Sequence, residues 1–159
     1  MYNFDQNMNL PMSKPESFNH VSQDIDSENF LEVMHDRVIQ LISSNANGPL
    51  AQMSLKHFET RGKMLRPMFI RDLAISLGVE LSEVIDWAVS CEVLHNATLV
   101  HDDLQDGDAV RRGVPTLWKL YGEEQAINIG DFLLIIAPQA IMIGCSQAKE
   151  ELLYLFTCM

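Results

Sequence analysis

From Glu83 to Gln105 the chain runs without a glycine or proline, and Ile85, Ala88, Val89, Val93, Leu94, Ala97 and Val100 recur along it at the spacing of a helical face. No other pattern in the chain is as long. It reads as one extended helix, with Ser82 the expected N-cap. Strict alternation of apolar and polar residues bounded by turn residues is almost absent elsewhere, so the helix fixes the class of the whole chain. The fold is expected to be all-α, a bundle of antiparallel helices.

The flanking segments agree. Phe30, Leu31, Met34, Val38, Leu41 and Ile42 form a second helical stripe, which Asn47-Gly48-Pro49 ends. A helix from Pro49 to about Glu59 follows, with Leu50, Met53 and Phe58 as core contacts. Pro67 suits the first turn of another helix and Gly78 its stop, since proline lacks the N–H that would have no partner there. Gly107, Gly113 and Pro115 mark a loop, and a last helix from about Glu123 to Gly144 carries Pro138 as a possible kink. Residues 1–26, rich in Asn, Ser, Met and Pro, are expected to be a loose tail ahead of a single partial domain over 27–159.

Charge and cysteine content exclude several classes. With 22 acidic and 11 basic residues among 159, the net charge of −11 repels nucleic-acid phosphates and anionic membranes over most of the surface. Cys91, Cys145 and Cys158 form no CxxC pair, against a disulfide scaffold or zinc ribbon and for a reducing compartment. No basic segment precedes an apolar run at the N-terminus, so the cytoplasm is the expected location. Phe132 to Cys145 is too short for a membrane span, which needs about 20 apolar residues, and reads as a buried helix.

The chemistry concentrates in His95-Asn96-Ala97-Thr98-Leu99-Val100-His101-Asp102-Asp103-Leu104-Gln105-Asp106, followed by Arg111-Arg112-Gly113. On a helix Asp102 and Asp106 lie one turn apart on one face, with Asp103 beside them and His95 two turns earlier. Like charges at that spacing call for a compensating cation. Carboxylate oxygens suit Mg²⁺, which keeps further positions for water and substrate phosphates, and so point to a diphosphate. A solvated acidic helix end is the plainer alternative. A calcium loop starting at Asp102 fails, because Leu104 and Gly113 would occupy positions that need an oxygen ligand and a bidentate Glu. The cations favour the diphosphate: Arg61, Lys63, Arg66, Arg71, Arg111, Arg112 and Lys119 put most of the chain's 11 basic residues between 61 and 119. Lys63 and Arg66 adjoin a helix start, where free N–H groups already favour an anion.

Taken in order, Gly62-Lys63-Met64-Leu65-Arg66-Pro67, His95, Asp102-Asp103-Leu104-Gln105-Asp106, Arg111-Arg112-Gly113 with Pro115-Thr116, and Gly130-Asp131 resemble the motifs of trans-isoprenyl diphosphate synthases, the polyprenyl synthetase family. The resemblance spans about Leu50 to Ile143. It departs from the family at Arg61, where a glycine is usual, and at Met64, where an arginine is common. It implies a bundle of the isoprenoid synthase type around a deep cavity, and Mg²⁺-dependent condensation of isopentenyl diphosphate with an allylic diphosphate. The resemblance puts Mg²⁺ on Asp102 and Asp106 and groups Asp102, Asp103, Asp106 and Arg111 as catalytic. It assigns Lys63, Arg66, His95 and Arg112 to isopentenyl diphosphate, and Ala97 and Thr98 to the path that limits product length. His101 is read as structural, Trp118 and Tyr121 as core or interface aromatics.

The family's second aspartate-rich motif and C-terminal lysines have no counterpart in this sequence. The chain is therefore expected to be the N-terminal portion of a synthase or a subunit that needs a partner, with homodimerisation also expected. The apolar end Leu152–Met159 should be covered by more protein. Two other classes stay open: a non-catalytic diphosphate-binding or regulatory subunit, and a class I terpene cyclase, which would have no use for Lys63 and Arg66.

Overall fold

The long apolar face becomes the spine of the molecule. A computed structural model describes residues 25–144. The expected tail lies, except for its last two residues, outside the described residues, as do Leu152–Met159, Cys145 and Cys158. The described helices are α1 (Phe30–Asn45), α2 (Pro49–Phe58), α3 (Leu65–Leu77), α4 (Leu81–Gln105), α5 (Leu117–Tyr121) and α6 (Glu123–Gly144), with two short strands, β1 (Val110–Arg111) and β2 (Val114–Pro115), between α4 and α5. All-α is the class.

Helix α4 buries Ile85, Ala88, Val89, Val93, Ala97 and Val100, and α6 answers with Ala126, Ile129, Leu133, Ile136, Ala137, Ala140 and Ile141. Each large aliphatic side chain withdrawn in this way contributes about 1.5–3 kcal/mol. The small residues let the two backbones approach. At Gly130 a Cβ would collide with the imidazole of His101, so the histidine near the end of α4 lies directly on the backbone near the start of α6. The helices are therefore antiparallel and closely fitted. His101 Nε2 also sits 3.5 Å from Asp131 Oδ1, and its structural reading agrees with this position. The 20-residue segment Glu123–Met142 has the length and composition to cross a membrane, more than the shorter Phe132–Cys145 stretch implied, yet it serves here as the core partner of α4.

Helix α1 buries Phe30, Met34, Val38, Leu41 and Ile42 of its predicted stripe in the same core, with Leu31 partly buried against it, and ties to α4 through Arg37 Nη1 and Asp86 Oδ1, 2.5 Å apart. Two segments differ from expectation. Helix α4 starts at Leu81 with Glu80 as the N-cap residue, so Ser82 lies inside the first turn. The segment expected as a loop contains a hairpin and the short α5. Val110 pairs with Pro115 and Arg111 with Val114, leaving Arg112 and Gly113 as a two-residue turn with φ of 52° and 83°. Two positive φ values are what a type I′ turn requires. Helix α3 buries only Pro67 and Ala74 and leaves Leu65, Phe69 and Leu73, spaced one turn apart, exposed.

Candidate functional site

The segment before α3 and the hairpin turn meet beside the middle of α4. Together they enclose a cleft of about 520 Å³ lined by Arg61, Lys63, Arg66, Glu92, His95 and Arg112 among others. Four residues predicted to hold one diphosphate, Lys63, Arg66, His95 and Arg112, are thus brought together from a loop, two helices and a turn. Met64 supports the geometry with a left-handed φ of 51°, uncommon for a side chain of its size, which turns the chain into α3. Arg112 crosses over Gly62, where any Cβ would strike its guanidinium, and donates from Nη1 to the carbonyl of Thr60 at 2.8 Å. Burial lowers the pKa of His95 below its ordinary value, and the nearby Arg66, Arg112 and Arg111 lower it further against the opposing pull of Asp102. The empty cleft therefore favours a neutral imidazole among guanidinium and ammonium groups.

The aspartates divide. Asp102 and Asp106 are both exposed at the end of α4, where Asp106 is the C-cap and its N–H donates to the Asp102 carbonyl at 2.8 Å. Neither carboxylate has a hydrogen-bond or ion-pair partner among the described residues. Asp103 points the other way: it is 3% exposed and accepts from Arg111 Nε at 2.5 Å. Burial raises the Asp103 pKa, and the Arg111 hydrogen bond draws it back in part. The expectation that three aspartates converge is corrected to two, because one turn of helix places the middle residue on the core side. Asp103 and Arg111 instead line a second cavity of about 310 Å³, with His57, Arg112, Thr116 and Leu117. No group of three or more His, Cys, Asp or Glu side chains suited to a metal occurs among the described residues.

Ala97 and Thr98 also separate. Ala97 is 0% exposed within the α4–α6 core, whereas Thr98 is exposed, its Oγ1 donating to the His95 carbonyl at 2.7 Å. Only Thr98 lies on an open face. Trp118 anchors the hairpin by donating from Nε1 to the Asp108 carbonyl at 2.7 Å, while Tyr121 is exposed. Sequence reasoning missed Glu92, Asn96 and His57. The available signal was a polar pair one turn apart, Glu92 and Asn96, beside the apolar stripe that carries Val89, Val93 and Ala97.

An all-α scaffold that gathers cations into one cleft, with two carboxylates unpaired among the described residues at the end of a core helix, agrees with a bundle of the isoprenoid synthase type. Comparison with known sequences and structures sharpens it. The polyprenyl synthetase profile matches residues 48–158. Geranylgeranyl diphosphate synthase of Saccharolobus solfataricus is 37% identical over 105 residues, which are 66% of this chain and 31% of that protein. A (2E,6E)-farnesyl diphosphate synthase of Mycobacterium tuberculosis is 41% identical over 54% of this chain and 24% of its own length. Among solved structures, geranylgeranyl pyrophosphate synthetase from Geoglobus acetivorans superposes with a TM-score of 0.73 at 29% identity, covering 82% of this chain and 42% of that one. This chain belongs to the polyprenyl synthetase family. It spans about a third of the length of the Saccharolobus relative.

Proposed function

We propose that the chain forms part of a prenyl diphosphate synthase that condenses isopentenyl diphosphate with an allylic diphosphate. The observation that carries this reading is the cleft, because Lys63, Arg66, His95 and Arg112 line it together, apart from Asp102 and Asp106, and their charges suit one diphosphate. A terpene cyclase, which ionises a single diphosphate, has no need of such a site. The relatives named as geranylgeranyl and farnesyl diphosphate synthases support it.

Asp102 and Asp106 fit Mg²⁺, since one or two carboxylates with water and phosphate oxygens complete its coordination, and their lack of side-chain partners among the described residues suits that use. When bound, Mg²⁺ offsets the charge of the departing allylic diphosphate. The chain's own groups do the rest. Lys63, Arg66 and Arg112 neutralise the diphosphate of isopentenyl diphosphate, and His95 hydrogen-bonds it. Arg111 keeps Nε on Asp103, so its Nη groups remain to meet the allylic diphosphate; Asp103 is then a residue that positions Arg111. Leu94 and Thr98 flank the path of the hydrocarbon, and apolar side chains there exclude water from the reacting carbons.

The proposed compartment is the cytoplasm. Further protein, from the same polypeptide or a second subunit, covers the exposed apolar row of α3 and supplies a second carboxylate wall. A non-catalytic diphosphate-binding subunit is the second reading, favoured by one observation: the cations of the cleft gather without Asp102 or Asp106 in its lining, an arrangement that suffices to hold a diphosphate. The experiment is an assay of the 159-residue chain, alone and with a partner that supplies the second wall, using labelled isopentenyl diphosphate, farnesyl diphosphate and Mg²⁺. Prenyl products with the partner and a rate at least about 100-fold lower without it are expected. Diphosphate binding with no condensation under either condition would favour the second reading.

A further inference from the structure

Behind the cleft lies a polar chain that the proposed reaction leaves without a role. Asn96 on α4 is 2% exposed and donates from Nδ2 both to the Glu92 carbonyl at 2.8 Å and to Glu92 Oε1 at 2.9 Å. With the amide nitrogen engaged there, Oδ1 faces Nε2 of His57 on α2 at 3.1 Å. An amide oxygen only accepts, so His57 must carry its proton on Nε2. Burial favours the neutral ring, lowering its pKa to about 4 despite the Asn96 hydrogen bond, and Arg112, Arg111 and His95 add to the lowering. The direction of the whole chain is then fixed: His57 donates to Asn96, and Asn96 donates to Glu92.

Glu92 is the unusual end of this chain. It is 5% exposed in the wall of a cleft that also contains Arg61, Lys63, Arg66 and Arg112, yet it makes no ion pair among the described residues. A carboxylate free to rotate in such surroundings would swing onto a cation, because a bond with charge on both partners is stronger than its bond to an uncharged amide. The amide holds it, and the imidazole keeps the amide from turning over.

We propose that His57 and Asn96 are positioning residues that hold the Glu92 carboxylate back from the cations of the cleft and so keep the cleft open to a diphosphate. Glu92 is thus a tethered competitor of the ligand. The inference rests on the reading of the cleft as a diphosphate site. Cutting the tether lets Glu92 pair with Arg66, Lys63 or Arg112 and occupy the charge that the anion needs.

Calorimetric titration of the full chain with inorganic diphosphate, without Mg²⁺, tests this on the wild type, Asn96→Ala, Glu92→Gln and the double variant, with thermal melting as the check on folding. Asn96→Ala is expected to weaken binding about tenfold, Glu92→Gln to tighten it severalfold, and the double variant to recover at least wild-type affinity. Recovery in the double variant separates a restraint from a packing role, since loss of packing at Asn96 would persist when Glu92 changes. Unchanged affinity in Asn96→Ala, or a double variant as weak as the single one, overturns the restraint and leaves the diphosphate site standing. If Asn96→Ala does not fold, Glu92→Gln decides alone: tighter binding supports the proposal, and equal or weaker binding overturns it. A wild-type chain that does not bind diphosphate overturns both the site and the restraint.

Discussion

The cleft and the acidic end of α4 handle charge in opposite ways. In the cleft, cations from separate elements are collected, and the one carboxylate in its lining is held by a hydrogen bond from an uncharged amide. At the acidic end, Asp102 and Asp106 come from adjacent turns of one helix and are left in solvent with no side-chain partner among the described residues. Under the proposed function, the difference follows from what each binds. A site for an anion alone can be finished by the protein's own side chains, whereas carboxylates serving a metal cannot be neutralised in advance without losing the metal. The first site depends on long-range packing and the second on helix geometry.

Removing the cleft's cations should break this comparison most visibly. Lys63→Ala combined with Arg66→Ala is expected to weaken isopentenyl diphosphate by about 100-fold or more, at about 1.5–3 kcal/mol for each charge-assisted contact, with Mg²⁺-dependent allylic diphosphate binding retained. Calorimetry with each ligand checks the selectivity, and equal losses for both would merge the two sites into one.

Acid should act next, and on the cleft side. His57 takes up a proton at about 4 in the folded chain against 6.5 for the free side chain, so the unfolded chain binds protons first as pH falls. Stability from this group is full above 6.5 and is lost toward pH 4, by about 3 kcal/mol. Urea denaturation from pH 7 to 4 should show the decline, and His57→Gln should flatten it; an equal slope in the variant would place the acid sensitivity elsewhere.

Between the two sites, Ala97 and Thr98 provide a control. Ala97→Phe overfills the α4–α6 core and is expected to cost about 1–3 kcal/mol in thermal stability, whereas Thr98→Phe leaves the fold intact and shortens the product of a complete synthase. Product chromatography separates them, and a shorter product from a stable Ala97→Phe enzyme would return Ala97 to the hydrocarbon path. The smallest effect belongs to Asp102→Asn with Asp106→Asn. Relief of like-charge repulsion one turn apart should raise stability by about 0.2–0.5 kcal/mol while Mg²⁺ ceases to enhance allylic diphosphate binding. Retained enhancement would remove these carboxylates from the metal site.

Most of the helices were legible because their apolar residues repeat at helical spacing: all of the predicted α1 stripe except the partly buried Leu31 is buried, and α6 spans the expected Glu123–Gly144. The hairpin was not, since two-residue strands carry no alternation, although Arg112-Gly113 offered a turn with glycine at its second position. The cleft's cations were legible from their clustering in sequence. Their restraint was not, because the His57–Asn96 bond joins residues 39 apart and no local pattern encodes such a pairing. Asp103 shows the limit from the other side: a run of aspartates states the composition of a helix end, and only its rotational phase decides which of them meets solvent.

The contacts that complete each region also imply an order of assembly. Asp103 and Arg111 are only 8 residues apart, while the bond from Arg112 to Thr60 closes over 52. Nearby partners meet with less loss of chain entropy than distant ones, so the α4 end and its hairpin can form while the segment bearing Lys63 is still undocked. The same inequality runs in reverse during partial unfolding: the anion cleft can come apart while the acidic helix end persists. Under the proposed function, a bound diphosphate does more than fill a site, because it ties the last-arriving segment of the chain to the part that was already built.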